Sequence, residues 1–188
     1  MLILASASPR RLELLKQAGV APDRVVPADI DETPALRELP AVYAARIAAA
    51  KAEKVFAAHP DSCVLAADTV VARGRRILPK AETEEQARNC LSLMSGCRHK
   101  VLTAVAVKSA AGARQELVSS VVRFKRLSDA EIDRYIATNE WQGKAGGYAI
   151  QGQAAVLIPF ISGSYSNIVG LPLCETVRLL RSLNHERA

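Results

Sequence analysis

The apolar run Cys63-Val64-Leu65-Ala66-Ala67 resumes at Val70-Val71-Ala72, and between the two halves stands a carboxylate, Asp68. The run has strand character and leads into the turn Arg73-Gly74-Arg75, which predicts a hairpin with a partner through Ile77 and Leu78. A carboxylate buried there without a partner costs several kcal/mol. Asp68 must therefore meet a Mg²⁺ ion, a lysine or a structural arginine, or else lie at a strand end facing water.

The rest of the chain alternates in a similar way. Leu2–Ala5 reads as a short buried strand, after which Ser8 can cap a helix with Pro9 at its first position and Gly19 at its end. A short strand follows around Arg24–Val26, then the acidic segment Asp29-Ile30-Asp31-Glu32, then a helix over about Pro40–Ala58. Thr83-x-x-Gln86 and Ser128-x-x-Glu131 are capping boxes opening helices to about Gly96 and Thr138. Strands over about Lys100–Val107 and Glu116–Phe124 lie between them, joined at Ala110-Ala111-Gly112. A glycine-rich loop, Gly143–Gly147, leads to Tyr148–Gly152, a strand through Ile161, the turn Ser162-Gly163-Ser164 and a last helix from Pro172. Hairpins mixed with helices predict one α/β domain over residues 1–188, two-lobed and built on a mixed β-sheet.

Composition removes several classes of function. At 188 residues, 49% hydrophobic and 23% charged, the chain can bury a core and is not of disordered, collagen or coiled-coil type. It has no apolar run of about 18 residues and no basic, signal-like N-terminus, so a cytoplasmic protein without membrane association is expected. Cys63, Cys90, Cys97 and Cys174 form no C-x-x-C pair and read as reduced core residues. His59, His99 and His185 fall at no metal-ligand spacing. The net charge of +6 favours an anionic partner, but with 4% aromatic residues the stacking platforms of a single-strand binder are scarce. Arg178, Arg181 and Arg187 account for part of the excess by suiting the end of a solvated helix.

Other residues stand out of place. Ser6-Ala7-Ser8-Pro9-Arg10-Arg11 puts two guanidinium groups in the first turn of a helix, where acidic residues are preferred. Free N–H groups, two hydroxyls and two guanidinium forks suit phosphate oxygens; the plain alternative is two solvated arginines. Lys51 stands on the apolar stripe with Ile47, Ala48 and Val55, from which a lysine ordinarily snorkels to water. Lys80 follows Pro79 and reads as a turn residue. Asp29, Asp31 and Glu32 offer oxygen ligands to a hard cation, although such clusters are usually just solvated. Gln151 carries a donor and an acceptor beside glycines that allow a ligand to approach.

Taken together, five segments resemble the Maf family of nucleotide pyrophosphatases. They are Leu4–Arg11, Asp29–Glu32, Ala66–Val70, Lys144–Gly152 and Gly163–Pro172, in order along nearly the whole chain. The resemblance implies a fold related to inosine triphosphate pyrophosphatases, with a cleft between two lobes. It also implies a divalent metal, Mg²⁺ or Mn²⁺, a nucleoside triphosphate substrate and a homodimer. Carried over, Asp68 would be the catalytic base and, with Glu32, would hold the metal. Ser6, Arg11, Lys51 and Lys80 would face the phosphates, and Arg10, Thr69 and Gln151 would tune base selection. One departure is visible: family members usually have proline after the lysine aligned with Lys80, whereas here the order is Pro79-Lys80-Ala81.

The forms Ser-Pro-Arg-Arg, Ala-Asp-Thr and Ile-Gln-Gly resemble the branch acting on dTTP and UTP. A related branch acting on 7-methyl-GTP typically carries Trp, Gln and Glu where Arg10, Thr69 and Gln151 stand. The Gln151 amide can meet one carbonyl oxygen and the ring N–H of uracil or thymine together. A rival from another class is a nucleic-acid-binding or cell-division regulatory protein that retains a nucleotide pocket. Asp68 in an apolar strand favours an enzyme, since a binding module has no need of that carboxylate.

Overall fold

In the computed structural model, which describes residues 1–183, the chain folds around a mixed seven-stranded sheet in the order β2-β1-β3-β6-β7-β9. Its strands are β1 (Leu2–Leu4), β2 (Arg24–Val25), β3 (Cys63–Arg73), β6 (Arg98–Ser109), β7 (Gly112–Arg123) and β9 (Phe160–Ser162), with β4 (Arg76–Leu78) pairing beside β3. β1 runs parallel to both neighbours, and the remaining pairs are antiparallel. A separate two-stranded sheet joins β5 (Lys80–Ala81) to β8 (Lys144–Ala145). The helices are α1 (Pro9–Gln17), α2 (Pro40–Ala58), α3 (Glu84–Met94), α4 (Asp129–Ile136), α5 (Tyr165–Val169) and α6 (Leu173–Ser182). Among the described residues no helix is long and apolar enough to cross a membrane.

Side-chain alternation along the strands divides the core. Leu2, Leu4, Leu65, Ala67, Val105 and Val107 face α1 and α6, while Ile3, Val64, Ala66, Val70, Ala104 and Ala106 face α2. A third cluster gathers Val71, Val101 and Val122 from the far ends of the central strands with Leu91 and Met94 of α3 and Ile132, Tyr135 and Ile136 of α4. β3 thus passes from one apolar lobe into the other, and Asp68 lies at the crossing.

Local signals hold where chemistry is specific. Both capping boxes form, Thr83 with Gln86 and Ser128 with Glu131. Gly74 takes φ 61° in the β3–β4 turn, a conformation that favours glycine. Other expectations are corrected. Ser8 makes no side-chain capping bond; the Arg11 N–H, at the third helical position, donates to the Ser8 carbonyl at 3.2 Å instead. The β6–β7 hairpin extends past the apolar positions to Ser109 and Gly112, because polar residues such as the half-buried Lys108 and the exposed Arg114 still supply ladder hydrogen bonds. The strand expected through Ile161 is reduced to β9. Ahead of it the chain turns at Ala149–Gly152 and forms a 3₁₀ helix, Gln153–Leu157, so its N–H groups find local acceptors instead of a ladder. β5, β8 and α5 are too short for periodicity to reveal. All four cysteines are free, yet Cys174 is exposed and Cys97 half-buried, so only Cys63 and Cys90 are core residues. His185 and Arg187 lie outside the described residues.

Candidate active site

β1 pairs with β3 only as far as Leu4 opposite Leu65, and β4 takes over at Val71 opposite Leu78. Along the intervening stretch, Ala66–Val70, the ladder partner is β6 alone. A cleft of about 380 Å³ opens at this gap, walled by the Ser6–Ser8 loop, the start of α1, the loop carrying Glu32, both strands of the small sheet, the segment Tyr148–Gln151 and the end of α5. Ser6, Arg10, Arg11, Glu32, Lys51, Asp68, Thr69, Lys80 and Gln151 all line it.

Asp68 points to the α2 face with Ala66 and Val70, where it is 3% exposed. Its cation is Lys51. The Nζ atom donates to Asp68 Oδ1 at 2.8 Å and lies 2.9 Å from Glu32 Oε1. The apolar stripe of α2 therefore does not release Lys51 to water, because two carboxylates hold it inside. Glu32 Oε2 in turn accepts from Lys80 Nζ at 2.7 Å, so the Pro79-Lys80-Ala81 order still brings this ammonium to the cleft. Burial pushes the Glu32 carboxyl up, but hydrogen bonds from Lys80 and Lys51 outweigh it and hold the group below the usual carboxylate range. Tyr43 braces the loop by donating to the Glu32 carbonyl at 2.8 Å. Burial, reinforced by the charges of Asp68 and Glu32, raises its own hydroxyl to about 12.

Arg11 lies on the opposite face of β3. Its guanidinium is buried yet, among the described residues, donates only to neutral groups: Nε to the Gly170 carbonyl at 2.9 Å, Nη1 to Ser6 Oγ at 3.1 Å and Nη2 to Thr69 Oγ1 at 3.1 Å. Burial lowers its pKa, with Asp68 and Glu32 acting against that at a distance, and an arginine stays charged even so. A buried cation without a carboxylate in contact is a site for an incoming anion. Thr69 is tied further to Thr103 at 2.9 Å, and Thr103 donates to the Asn167 carbonyl at 3.1 Å. Asn167 Nδ2 bonds the Val101 carbonyl and Ser120, fastening α5 to the sheet. Thr103 and Asn167 were not apparent as supports because their contacts join distant parts of the chain.

The other end of the cleft is looser. Gln151 is exposed, Arg10 is half-buried, and Lys144 donates to the Gln142 carbonyl at 3.0 Å. Burial lowers the pKa of both cations, and the charge of Arg10 pushes Lys144 further down. Lys144 was missed as a lining residue, although it opens the Lys144–Gly152 segment whose glycines mark close packing. A Cβ at Gly146 would clash with Val71 at 2.8 Å. Counting the lining charges, Asp68, Lys51, Glu32 and Lys80 cancel, and Arg10, Arg11 and Lys144 remain. The cleft is thus built for a polyanion. Lys51 takes Asp68 Oδ1 and Glu32 Oε1 and Lys80 takes Glu32 Oε2, so a hard cation held by the two carboxylates would use Asp68 Oδ2 or share those oxygens with the lysines. Sites that bind Mg²⁺ together with a phosphate substrate use one or two carboxylates and take their other oxygens from water and phosphate, and this donor set fits.

A sheet opened at its centre beside a helix N-terminus and lined by surplus cations defines a phosphate-ester or anhydride-binding α/β protein. The same fold occurs in the Staphylococcus aureus Ham1 protein, with a TM-score of 0.54 at 12% identity over 100% of this chain and 99% of that one. It occurs also in a HAM1 protein from Coxiella burnetii, with a TM-score of 0.51 at 16% identity over 96% and 98%. Within this fold the chain belongs to the Maf family, whose Maf-like protein model matches residues 1–183. Its relatives include the dTTP/UTP pyrophosphatases of Caulobacter vibrioides, 59% identical over 98% of this chain and 96% of that one, and of Rhodospirillum rubrum, 59% identical over 95% and 86%. The dTTP/UTP pyrophosphatase of Gluconobacter oxydans is 60% identical over 96% and 85%.

Proposed function

We propose that the chain is a nucleoside triphosphate pyrophosphatase that hydrolyses dTTP and UTP to the monophosphate and pyrophosphate, with modified nucleotides as further candidates. The observation that carries this reading is the pairing of two unlike devices across one cleft. Arg11 is a buried cation with only neutral partners, and Asp68 is a buried carboxylate steadied by Lys51. The first attracts phosphate; the second is placed to handle a proton. The names of the relatives described above support the substrate class.

In this mechanism Arg11, Ser6, Lys51 and Lys80 bind the triphosphate oxygens. Asp68 accepts a proton from the attacking water, a bond forms between that oxygen and the α-phosphorus, and the bond from the α-phosphorus to the bridging oxygen breaks. Pyrophosphate leaves with the electron pair. A divalent cation, Mg²⁺ or Mn²⁺, held by Asp68 and Glu32, would supply neutralisation of phosphate charge. Lys51 keeps Asp68 aimed through Oδ1. Gln151 and Arg10 read the base, and Thr69, which lines the same cleft, tunes that choice. We also expect the enzyme to act in the cytoplasm, where nucleotide pools reside, and as a homodimer. The edge strand β9, with Phe160 and Ile161 exposed, supports the homodimer.

The test is pyrophosphate release across a panel of normal and modified nucleoside triphosphates, with Mg²⁺ or Mn²⁺. Monophosphate plus pyrophosphate from dTTP and UTP is expected. Diphosphate plus orthophosphate would overturn the pyrophosphatase reading, and a preference for 7-methyl-GTP would overturn the base assignment alone.

A further inference from the structure

Gln151 makes no regular secondary structure, yet the turn that carries it is pinned at both ends. The Gly152 N–H donates to the Ala149 carbonyl at 3.0 Å, which makes Ala149–Gly152 a β-turn with Ile150 and Gln151 at its centre. Just before the turn, the Ala149 N–H donates to the Tyr135 hydroxyl at 3.1 Å. Just after it, the Gln153 N–H donates to Glu140 Oε2 at 2.7 Å. Tyr135 sits on α4 and is 3% exposed, and Glu140 belongs to the loop that follows. Neither lines the cleft. Gly152 has ordinary extended backbone, and a Cβ there would overlap the Glu140 carboxylate and displace it from the turn. A tyrosine hydroxyl and a carboxylate spent on backbone N–H groups either side of one turn fix where that turn stands.

We propose that Tyr135 and Glu140 are positioning residues for base selection, setting the reach of the Gln151 amide by clamping the turn beneath it. The inference rests on the reading of Gln151 as the base-recognition residue. Without the clamp the turn keeps its internal bond but can shift, so an amide aimed at the uracil edge no longer discriminates against cytosine. The phosphate end, on separate elements, is untouched.

The experiment compares kcat and KM for UTP and CTP under one Mg²⁺ concentration in wild type, Tyr135→Phe, Glu140→Ala, Glu140→Gln and Gly152→Ala. Tyr135→Phe removes the hydroxyl acceptor and keeps the ring. Glu140→Ala removes the other acceptor at a half-exposed site, where folding is less at risk, and Gly152→Ala displaces the carboxylate. Each should lower the UTP/CTP ratio of kcat/KM by about tenfold, the size expected for one misdirected hydrogen bond. The loss should appear mainly in KM for UTP. Glu140→Gln, whose amide oxygen can still accept, should keep the wild-type ratio. Wild-type ratios in Tyr135→Phe and Glu140→Ala would overturn the proposal. So would an equal loss for both nucleotides accompanied by a lowered Tm, which a merely structural role would give. Wild type cleaving neither nucleotide would sink the function proposed above; wild type cleaving both equally would sink the base reading and this inference with it.

Discussion

The two ends of the cleft are built differently. At the phosphate end, side chains from four regions bond one another directly: Asp68 on β3, Lys51 on α2, Glu32 in its loop and Lys80 on β5 form one continuous chain of charges, and Arg11 is held by Ser6, Thr69 and Gly170. At the base end, Gln151 is held through the backbone, by groups that do not face the ligand. Preorganised charge stabilises a reaction only if it does not have to rearrange, which suits the first design to catalysis. The second leaves the contact residue replaceable while the scaffold stays. Substitutions at the first end should therefore change rate, and substitutions at the second should change choice.

The largest effect should come from Asp68→Asn, which keeps the shape and removes the base. Turnover should fall by about 10²- to 10⁴-fold with nucleotide binding retained, measured by pyrophosphate release and calorimetric titration. Near wild-type turnover would remove Asp68 from the mechanism and dissolve the contrast between the ends. Lys51→Ala tests the same end through stability, because it strands a buried carboxylate. Denaturant unfolding should show a loss of about 3–5 kcal/mol, with turnover lowered for every accepted triphosphate alike. A loss confined to one base would merge the two ends.

Beneath the base end, the Tyr148 hydroxyl and His99 Nε2 are 2.8 Å apart, and burial lowers the histidine pKa to about 4 from 6.5. The unfolded chain takes up this proton as pH falls below 6.5, whereas the folded protein resists until about 4. Stability from this site is therefore full above pH 6.5 and declines as pH falls to 4, by about 3 kcal/mol in all. His99→Asn should flatten that part of the Tm-against-pH curve while leaving UTP turnover near neutral pH in place. An unchanged slope would show that His99 is not its source.

Smaller still is Gln151→Glu. It should reduce the kcat/KM preference for UTP over CTP by about tenfold, the scale of 1–3 kcal/mol for an unpaired contact, with kcat for the accepted substrate nearly kept. Lys80→Ala should have the least effect on folding, since its pair with Glu32 is solvent-exposed and such pairs contribute about 0–1 kcal/mol. A modest rise in KM for all triphosphates is expected, and a change in base preference would break the division between the ends.

Asp68 and Arg11 were visible in the sequence because each breaks a local rule, a charge in an apolar strand and a cation at a helix start. Lys51 followed a rule that misled: on one helix the apolar stripe says snorkel, and only the loop bearing Glu32 and the strand bearing Asp68 turn the ammonium inward. Lys144, Thr103 and Asn167 broke no local rule; Lys144 and Asn167 stood only inside segments that carry the family resemblance, and Thr103 gave no signal.

The two capping boxes, the β3–β4 turn and the alternation that divides the core were determined by the sequence itself, since each depends on residues within a few positions of one another. Tertiary structure alone decided the gap between β1 and β4 that opens the cleft, and the clamp that aims Gln151. Strand register and side-chain to backbone bonds join Leu4 to Leu65 and Tyr135 to Ala149. Their free energy comes from contacts that no local pattern encodes, because the loop between the partners can be any length the fold will close.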